Sequence, residues 1–332
     1  FTQIYLFPQS GGINSFSFLN VELSPITEAM GGNTIALYDD LSSVQTTPSL
    51  LNQNMNNQLI FLFGDYFADI NLIGFSYSRM FNKLGIVSLS VKAIDYGEFD
   101  LNDEFGNTNG TFIAHDEIMT LGISRKVSSS FFIGSNFNLL NSVYAYYNSI
   151  LVSANISATY HNIDRYFTST LLLKNIGRQI KSYTNVNEYL PFEIQFGLSK
   201  KLRYLPFQYH LVYENINNFY IDSPYKLGTQ TDFETGLLEI KEEMIFKTFL
   251  RHIIIGGELN PFQKSLFLRG GFNFQRRFDM SLSSNPRFVG FSWGIGVRFS
   301  KFSIDYSRSS YHLSGMLNNF SFAADLNQFS KK

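Results

Sequence analysis

The stretch Val289–Phe299, VGFSWGIGVRF, carries the pattern that decides the fold. Large apolar residues stand at every second position, and small or polar residues, mainly glycine, stand between them. A period of two residues is typical of a β-strand whose two faces meet different surroundings. The same alternation recurs in Ile150–Ala158, Phe192–Ser199 and Phe207–Glu214, so the sequence predicts an all-β protein.

The predicted strands are numerous and long. About fourteen segments fit the pattern, and many of them exceed the usual strand length of about 5–6 residues. Tilted segments of about 9–11 residues span a bilayer. The candidates lie near 58–64, 71–80, 84–97, 112–126, 131–142, 148–160, 166–176, 191–202, 206–216, 244–259, 265–276, 288–299, 302–310 and 318–329.

The composition argues against a soluble sheet. Of 332 residues, 26 are basic and 27 acidic, giving a formal net charge of -1, and charged residues make up only 16%. A soluble domain carries roughly 25% and shows Lys and Glu on the outer face of its sheets. The absence of a basic excess disfavours nucleic-acid binding. No apolar run of about 18 residues predicts a membrane helix, and the chain has 0 cysteines. We therefore expect a transmembrane antiparallel β-barrel.

The predicted connections alternate in length along the chain. Short ones lie near 81–83, 127–130, 161–165, 203–205, 260–264 and 300–301, and longer or more polar ones near 65–70, 98–111, 143–147, 177–190, 217–243, 277–287 and 311–317. Outer-membrane barrels alternate between tight periplasmic turns and long extracellular loops. An even strand count then places both chain ends on the periplasmic side.

The first 55 residues differ from the remainder. Gly31-Gly32, Pro25 and Pro48 interrupt any long strand. We expect residues 1–55 to form a plug-like segment inside or under the barrel, and residues 56–332 to form the barrel itself. Because the chain starts at Phe1, we also expect an export signal to have been removed.

Catalytic and metal-binding motifs are weak. Gly290–Gly294 fits G-x-S-x-G, but a nucleophile elbow needs a sharp strand-to-helix turn, and Ser292 lies inside a regular predicted strand. The five histidines are scattered singly. Asp100, Asn102 and Glu104 resemble the start of a calcium loop without its later glutamate. We predict no enzyme activity, no cofactor and no metal.

The outer loops are the better candidates for function. The predicted loop 217–243 combines aromatic and acidic residues, and exposed tyrosines favour protein binding. A second candidate loop is 177–190. The candidate partner-binding residues are Phe105, Arg178, Tyr183, Tyr220, Tyr225 and Phe233.

Several short stretches carry a resemblance to a known family. They include SFSFLN (Ser15–Asn20), YFADIN (Tyr66–Asn71), DEFG (Asp103–Gly106), LKNIG (Leu173–Gly177) and LPFEIQFG (Leu190–Gly197). Taken in order, they resemble the PorQ family of the bacterial type IX secretion system, which is related to PorV and, more distantly, to the FadL transporters. The resemblance implies a FadL-like barrel integral to the bacterial outer membrane.

The resemblance also implies a function and partners. The barrel would belong to the cell-surface attachment complex and anchor a PorZ-like surface protein, alongside the sortase PorU and the shuttle PorV, in contact with outer-membrane lipid and lipopolysaccharide. The alternative is a FadL-like passive transporter of hydrophobic small molecules, and a porin is a third. A transporter needs an apolar lumen pocket and a lateral opening, whereas an anchor needs a plugged lumen and a large loop surface.

Overall fold

A closed barrel of fourteen antiparallel strands forms the body of the protein. The computed structural model describes residues 16–68, 70–221, 230–231, 238–239, 245–262, 265–281, 288–312 and 315–329. The barrel strands are β1 (Gln58–Asp65), β2 (Asn71–Phe81), β3 (Gly85–Asn102), β4 (Thr108–Lys126), β5 (Phe131–Tyr144), β6 (Tyr147–Asn162), β7 (Phe167–Lys181), β8 (Glu193–Lys201), β9 (Phe207–Tyr213), β12 (Ile253–Leu259), β13 (Leu266–Asn273), β14 (Phe291–Phe299), β15 (Phe302–His312) and β16 (Gly315–Asp325). A separate pair consists of β10 (Gln230–Thr231) and β11 (Leu238–Glu239).

Closure occurs between the first and last strands. Gln58 of β1 lies opposite Ser78 of β2 on one side and opposite Asp325 of β16 on the other. Within the barrel wall each strand therefore has a partner on both sides, which satisfies its backbone hydrogen bonds there. A sheet that faces lipid requires this, because hydrocarbon offers no substitute for water. The predicted strand number and closed architecture are confirmed.

Helices occupy parts of two predicted strands. The helices are α1 (Pro25–Ala29), α2 (Ile245–Arg251) and α3 (Phe274–Met280), with 3-10 turns at Ser17–Asn20, Leu41–Gln45, Pro48–Leu50, Gln53–Met55 and Leu326–Gln328. The prediction of one strand over 244–259 is wrong for its first half, which forms α2. Likewise β13 ends at Asn273, whose side chain caps α3 by accepting from the Arg276 amide. Among the described residues, no helix is long and apolar enough to cross a bilayer.

The two ends of the barrel differ in their connections. Of the described residues, the short-turn end carries 82–84, 127–130, 163–166, 202–206, 260–262, 265 and 300–301, and the long-loop end carries 66–68, 70, 103–107, 145–146, 182–192, 214–221, 245–252, 274–281 and 288–290. The predicted loop 98–111 is wrong, because β3 and β4 continue through most of it. The predicted connection 143–147 shrinks to a two-residue turn, and β15 and β16 extend into the predicted connection 311–317 from both sides. The alternation in length therefore holds only in part.

The predicted division between the two strand faces is present in β14. Phe291 and Trp293 are about half exposed on the outer wall, whereas Ser292 is buried on the inner wall. The Ser292 hydroxyl donates to the Ala29 carbonyl at 3.1 Å, so Ser292 is a lumen-facing contact residue rather than a nucleophile on a sharp turn. An apolar outer band over a polar interior is the pattern of a membrane-spanning barrel.

Residues 16–57, the internal segment, run through the lumen. At the long-loop end Phe16 stacks on Tyr183, with 6.1 Å between ring centroids. At the short-turn end the Asn56 side chain accepts from the Met80 amide at 2.8 Å, and β1 follows. The described part of the segment thus begins at the end opposite to the start of β1. Residues 1–15 lie outside the described residues, so the prediction that both chain ends lie on the periplasmic side stays a prediction; the last strand, β16, ends at the short-turn end.

Inward-facing glycines let the internal segment approach the wall closely. A Cβ at Gly134 would lie 2.6 Å from the backbone of Pro48, and one at Gly197 would lie 2.5 Å from Ile35. A Cβ at Gly271 would collide with the backbone of Met30. The wall and the segment therefore fit so closely that one added methyl group at these glycines would overlap the segment.

The neighbouring pair Gly270 and Gly271 tests this complementarity. We expect Gly271→Ala to lower the free energy of unfolding by about 1–3 kcal/mol, because the added methyl group overpacks the contact with Met30. Gly270→Ala is the matched control, since a Cβ there meets only the Ser292 carbonyl at 3.9 Å. Urea unfolding in detergent, followed by the fluorescence of the single tryptophan, measures both variants. Equal midpoints would contradict the contact.

Candidate functional site

A buried ion pair ties the internal segment to the long-loop end. Glu28 of α1 is fully buried, and the Arg276 guanidinium of α3 donates to its Oε1 at 2.6 Å. Arg276 also donates to the Tyr311 hydroxyl at 2.5 Å and lies over the Tyr311 ring, 3.8 Å from its centroid. A buried charge is stable only when it is paired and hydrogen-bonded. The α3 loop and α1 are thereby held together.

Further side-chain hydrogen bonds hold the remainder of the segment. The Asn33 side chain donates to Gln195 at 2.9 Å and to Glu214 at 2.5 Å. The hydroxyls of Ser49 and Thr159 lie 2.7 Å apart, and the Ser49 amide donates to Ser157 at 2.9 Å. These contacts lie on β6, on β8 and just after β9, whereas α1 contacts β14 and β15 on the opposite side of the barrel, so the segment crosses the lumen.

The lumen holds little free space. The larger of two openings, about 290 Å³, is a cleft at the short-turn end between the internal segment and strands β14, β15, β16 and β1. The other, about 40 Å³, lies inside the lumen and is lined by Glu22, Lys92, Lys174 and several amide and hydroxyl side chains. An engineered cavity of about 150 Å³ holds benzene. The inner cavity is therefore too small and too polar for an aromatic molecule.

A second ion cluster stiffens the inner wall. Arg269 of β13 donates to Glu258 at 2.8 Å and to Asp305 at 2.6 Å, and all three side chains are largely buried. His210 of β9 is buried nearby on the same inner surface. Because Arg269 pairs with carboxylates of two other strands, the cluster links three strands of the wall.

A hydroxyl network gathers around Asp116 at the long-loop end. The carboxylate of Asp116 accepts from Tyr96 at 2.6 Å, from Tyr144 at 3.0 Å and from Ser142. The Tyr183 hydroxyl in turn donates to Ser142 at 2.5 Å. The network joins three strands to the 182–192 loop.

The predicted partner-binding residues have different surroundings. Phe105 is 89% exposed and Tyr220 is 69% exposed, both at the long-loop end. Tyr183 packs inward against Phe16, which removes much of its surface from any partner. Arg178 lies within β7 rather than in a loop, although it is exposed. Tyr225 and Phe233 lie outside the described residues.

Two highly exposed tyrosines are not among the predicted partner-binding residues. Tyr146 is 85% exposed and Tyr189 is 91% exposed, and both lie at the long-loop end. Tyr146 was missed because its turn, 145–146, is very short. The signal available in the sequence was the cluster of Tyr144, Tyr146 and Tyr147 within the predicted connection 143–147.

The calcium-like stretch is a hydrogen-bonded turn. Asp103, rather than Asp100 or Glu104, stands at its centre and accepts from the amides of Phe105 and Asn107 at 2.9 and 2.8 Å. Hydrogen bonds from the side chain and amide of Asn107 hold the pKa of Asp103 below its usual range. The carboxylate is therefore engaged in shaping the turn.

Comparisons with known proteins bear on the fold. No protein-family model and no curated protein sequence matches the chain. The solved structure of the toluene transporter TbuX of Ralstonia pickettii matches with a TM-score of 0.55 and 9% identity, covering 92% of this chain and 99% of that one. The CymD monoaromatic hydrocarbon channel matches with a TM-score of 0.52 and 12% identity, covering 92% and 98%. A Pseudomonas aeruginosa FadL homologue matches with a TM-score of 0.52 and 11% identity, covering 91% and 98%.

The fold is that of a FadL-like barrel. At 9–12% identity the similarity establishes the shared architecture and not the activity. The comparisons do not confirm the resemblance to the PorQ family. The shared architecture therefore does not decide between transport and anchoring, and the contacts within this chain are the remaining evidence.

Removing one member of the buried pair tests the tie between α1 and α3. We expect Glu28→Gln to lower the free energy of unfolding by about 3 kcal/mol, because it leaves the Arg276 guanidinium without a carboxylate. Glu28→Gln combined with Arg276→Gln should cost less than the sum of the single changes. The exposed control Glu104→Gln should stay within about 0.5 kcal/mol of wild type. Additive costs in a urea double-mutant cycle would contradict the pairing.

Proposed function

We propose that the chain is an outer-membrane barrel for the passive passage of small hydrophobic molecules, with the internal segment as its gate. One observation supports this most. The fold is shared over more than nine-tenths of each chain with proteins described as a toluene transporter and a monoaromatic hydrocarbon channel. The apolar outer band and the polar inner wall are those of a barrel that spans an outer membrane.

Passage requires the internal segment to move. The inner cavity of about 40 Å³ cannot hold an aromatic ring, whereas the cleft of about 290 Å³ at the short-turn end can. A shift of the segment away from the wall would extend this cleft toward the long-loop end. The hydrogen bonds of Ser49 are neutral and can be exchanged for water, which suits a reversible movement.

A disulfide lock tests the gate. The paired change Ser49→Cys and Thr159→Cys replaces two hydroxyls that lie 2.7 Å apart, in a chain without other cysteines. In cells lacking their own hydrocarbon transporters, we expect the reduced variant to take up labelled toluene faster than cells without the barrel. The oxidised variant should fall to the background rate, because the segment can no longer leave the wall.

The single variants are the controls for the lock, since they cannot form the disulfide. Equal uptake by the oxidised and reduced forms would contradict the gate. Uptake no faster than background for wild type, with toluene and with oleate, would contradict passage itself.

A second candidate function is the anchoring of a partner protein. The observation that favours it is the filled lumen together with exposed aromatic side chains at the long-loop end. A protein that holds a partner needs no path through its barrel, and rigid exposed tyrosines are common in binding surfaces. By the resemblance, the partner would be a PorZ-like surface protein, accompanied by PorU- and PorV-like proteins and lipopolysaccharide.

A pull-down with matched tyrosine variants tests the anchor. From native outer membranes, we expect the tagged wild-type barrel to recover a surface protein in stoichiometric amount. Tyr189→Ala combined with Tyr220→Ala should lower that recovery by about tenfold, as loss of central aromatic contacts does. Tyr204→Ala is the control, because Tyr204 is equally exposed at the short-turn end. Recovery of the barrel with lipid alone would contradict the anchor.

A further inference from the structure

Two strands extend well beyond the barrel rim. The last residue of β3 that pairs with β2 is Asp95, opposite Asn71, and β4 pairs with β5 only from Ala114, opposite Tyr144. Between these points, residues 96–113 continue as a hairpin of their own. We call residues 96–113 the hairpin arm.

The backbone edges of the hairpin arm are largely open. In the described part of the chain its strands pair with each other, and the Ile113 carbonyl also accepts from the Ala145 amide at 3.3 Å. Proteins usually cover or shorten such edges, because open edges can pair with another chain. An isolated two-stranded hairpin is also only marginally stable in water. The hairpin arm thus has the properties of a segment that is completed by a partner.

The charges of the hairpin arm have one sign. Glu98, Asp100, Asp103 and Glu104 lie within it, and it contains no lysine, arginine or histidine. The chain as a whole is almost neutral, with a net charge of -1. The projection therefore carries four carboxylates and no basic residue of its own.

Apolar side chains accompany the acidic ones. Phe99 and Phe112 stack on each other with 5.3 Å between ring centroids. Phe105 stands at the tip and is almost completely exposed. Exposed apolar patches rimmed by polar residues mark interaction sites, and three phenylalanines lie on this one projection.

The base of the hairpin arm is held rigidly. Tyr96, its first residue, donates to the buried Asp116, and Tyr144 donates to the same carboxylate oxygen. A fixed base reduces the conformational entropy that a partner would have to remove on binding.

We propose that the hairpin arm is the docking site for a partner protein with a basic, concave surface that receives Phe105. The charge selects this occupant. An anionic lipopolysaccharide surface, and the same arm of a second copy of the chain, would both present like charge to the arm, which opposes contact. The inference deepens the anchoring function and rests on it.

Photo-cross-linking at the tip tests the docking site. Phe105→benzoylphenylalanine keeps an aromatic group at position 105, and the matched control is Tyr146→benzoylphenylalanine, at an equally exposed site of the same end. In native outer membranes, we expect position 105 to label one protein through a peptide rich in lysine and arginine. The control should give at most weak labelling of that protein.

Charge reversal then separates docking from mere proximity. Asp100→Lys with Glu104→Lys leaves the turn-forming Asp103 in place and should reduce the cross-link by about tenfold, because like charges then face each other. Asp164→Lys at the short-turn end is the control. Should the reversed variant fail to fold, as judged by heat-modifiable migration on gels, the neutral pair Asp100→Asn and Glu104→Gln should give a smaller reduction.

The outcomes distinguish the inference from the anchoring function. A pull-down that recovers a partner which position 105 does not label would overturn the docking site and leave the anchor standing. A cross-link to lipid only, or a protein cross-link that survives charge reversal, would also overturn the docking site. Failure to recover any partner would overturn both.

Discussion

The contact between the internal segment and the inner wall is the constraint on which the remaining structure depends. Closure of the fourteen-stranded sheet pairs the backbone hydrogen-bonding groups of its first and last strands. The side chains of the wall alone, however, do not fill the interior of a barrel of this size. Glycines such as Gly134 and Gly271 bring the wall within contact of a second layer of backbone. The inner face can therefore be small and polar, and the apolar residues of the segment are buried in the lumen.

The same constraint sets the requirements of each function. A gate must exchange the contacts of the segment for water, which is feasible for the neutral hydrogen bonds of Ser49 and costly for the ion pair of Glu28 and Arg276. The part of the segment that follows Gly31-Gly32 is thus easier to move than α1. Gly31 and Gly32 both have positive φ, a conformation that few other residues adopt without strain. An anchor has the opposite requirement, because it holds a partner best when the internal segment keeps its contacts with the wall.

Much of the fold follows from local patterns, and most of the site does not. The alternation of apolar and small residues, as in β14, depends only on neighbouring residues. The number of strands and the two different faces of each strand could therefore be predicted. The helix α2 could not, because Ile245–Arg251 has apolar residues that fit either a strand or a short helix. The pair of Glu28 and Arg276 is separated by 248 positions, and no local pattern connects them. The stacking of Tyr183 on Phe16 could not be predicted either, because these two residues are also far apart in sequence.

The hairpin arm shows why a charge count over a whole chain can mislead. A near-neutral total disfavours nucleic acid as a partner, yet it hides four carboxylates on one projection without a compensating cation. Their mutual repulsion is tolerated because the arm is solvated and its base is fixed at Asp116 by hydrogen bonds from Tyr96 and Tyr144. A basic surface would relieve that repulsion and cover Phe105 at the same time. Charge attraction and burial of Phe105 then both favour contact with a basic protein surface. At an anionic membrane, charge repulsion would oppose the burial of Phe105.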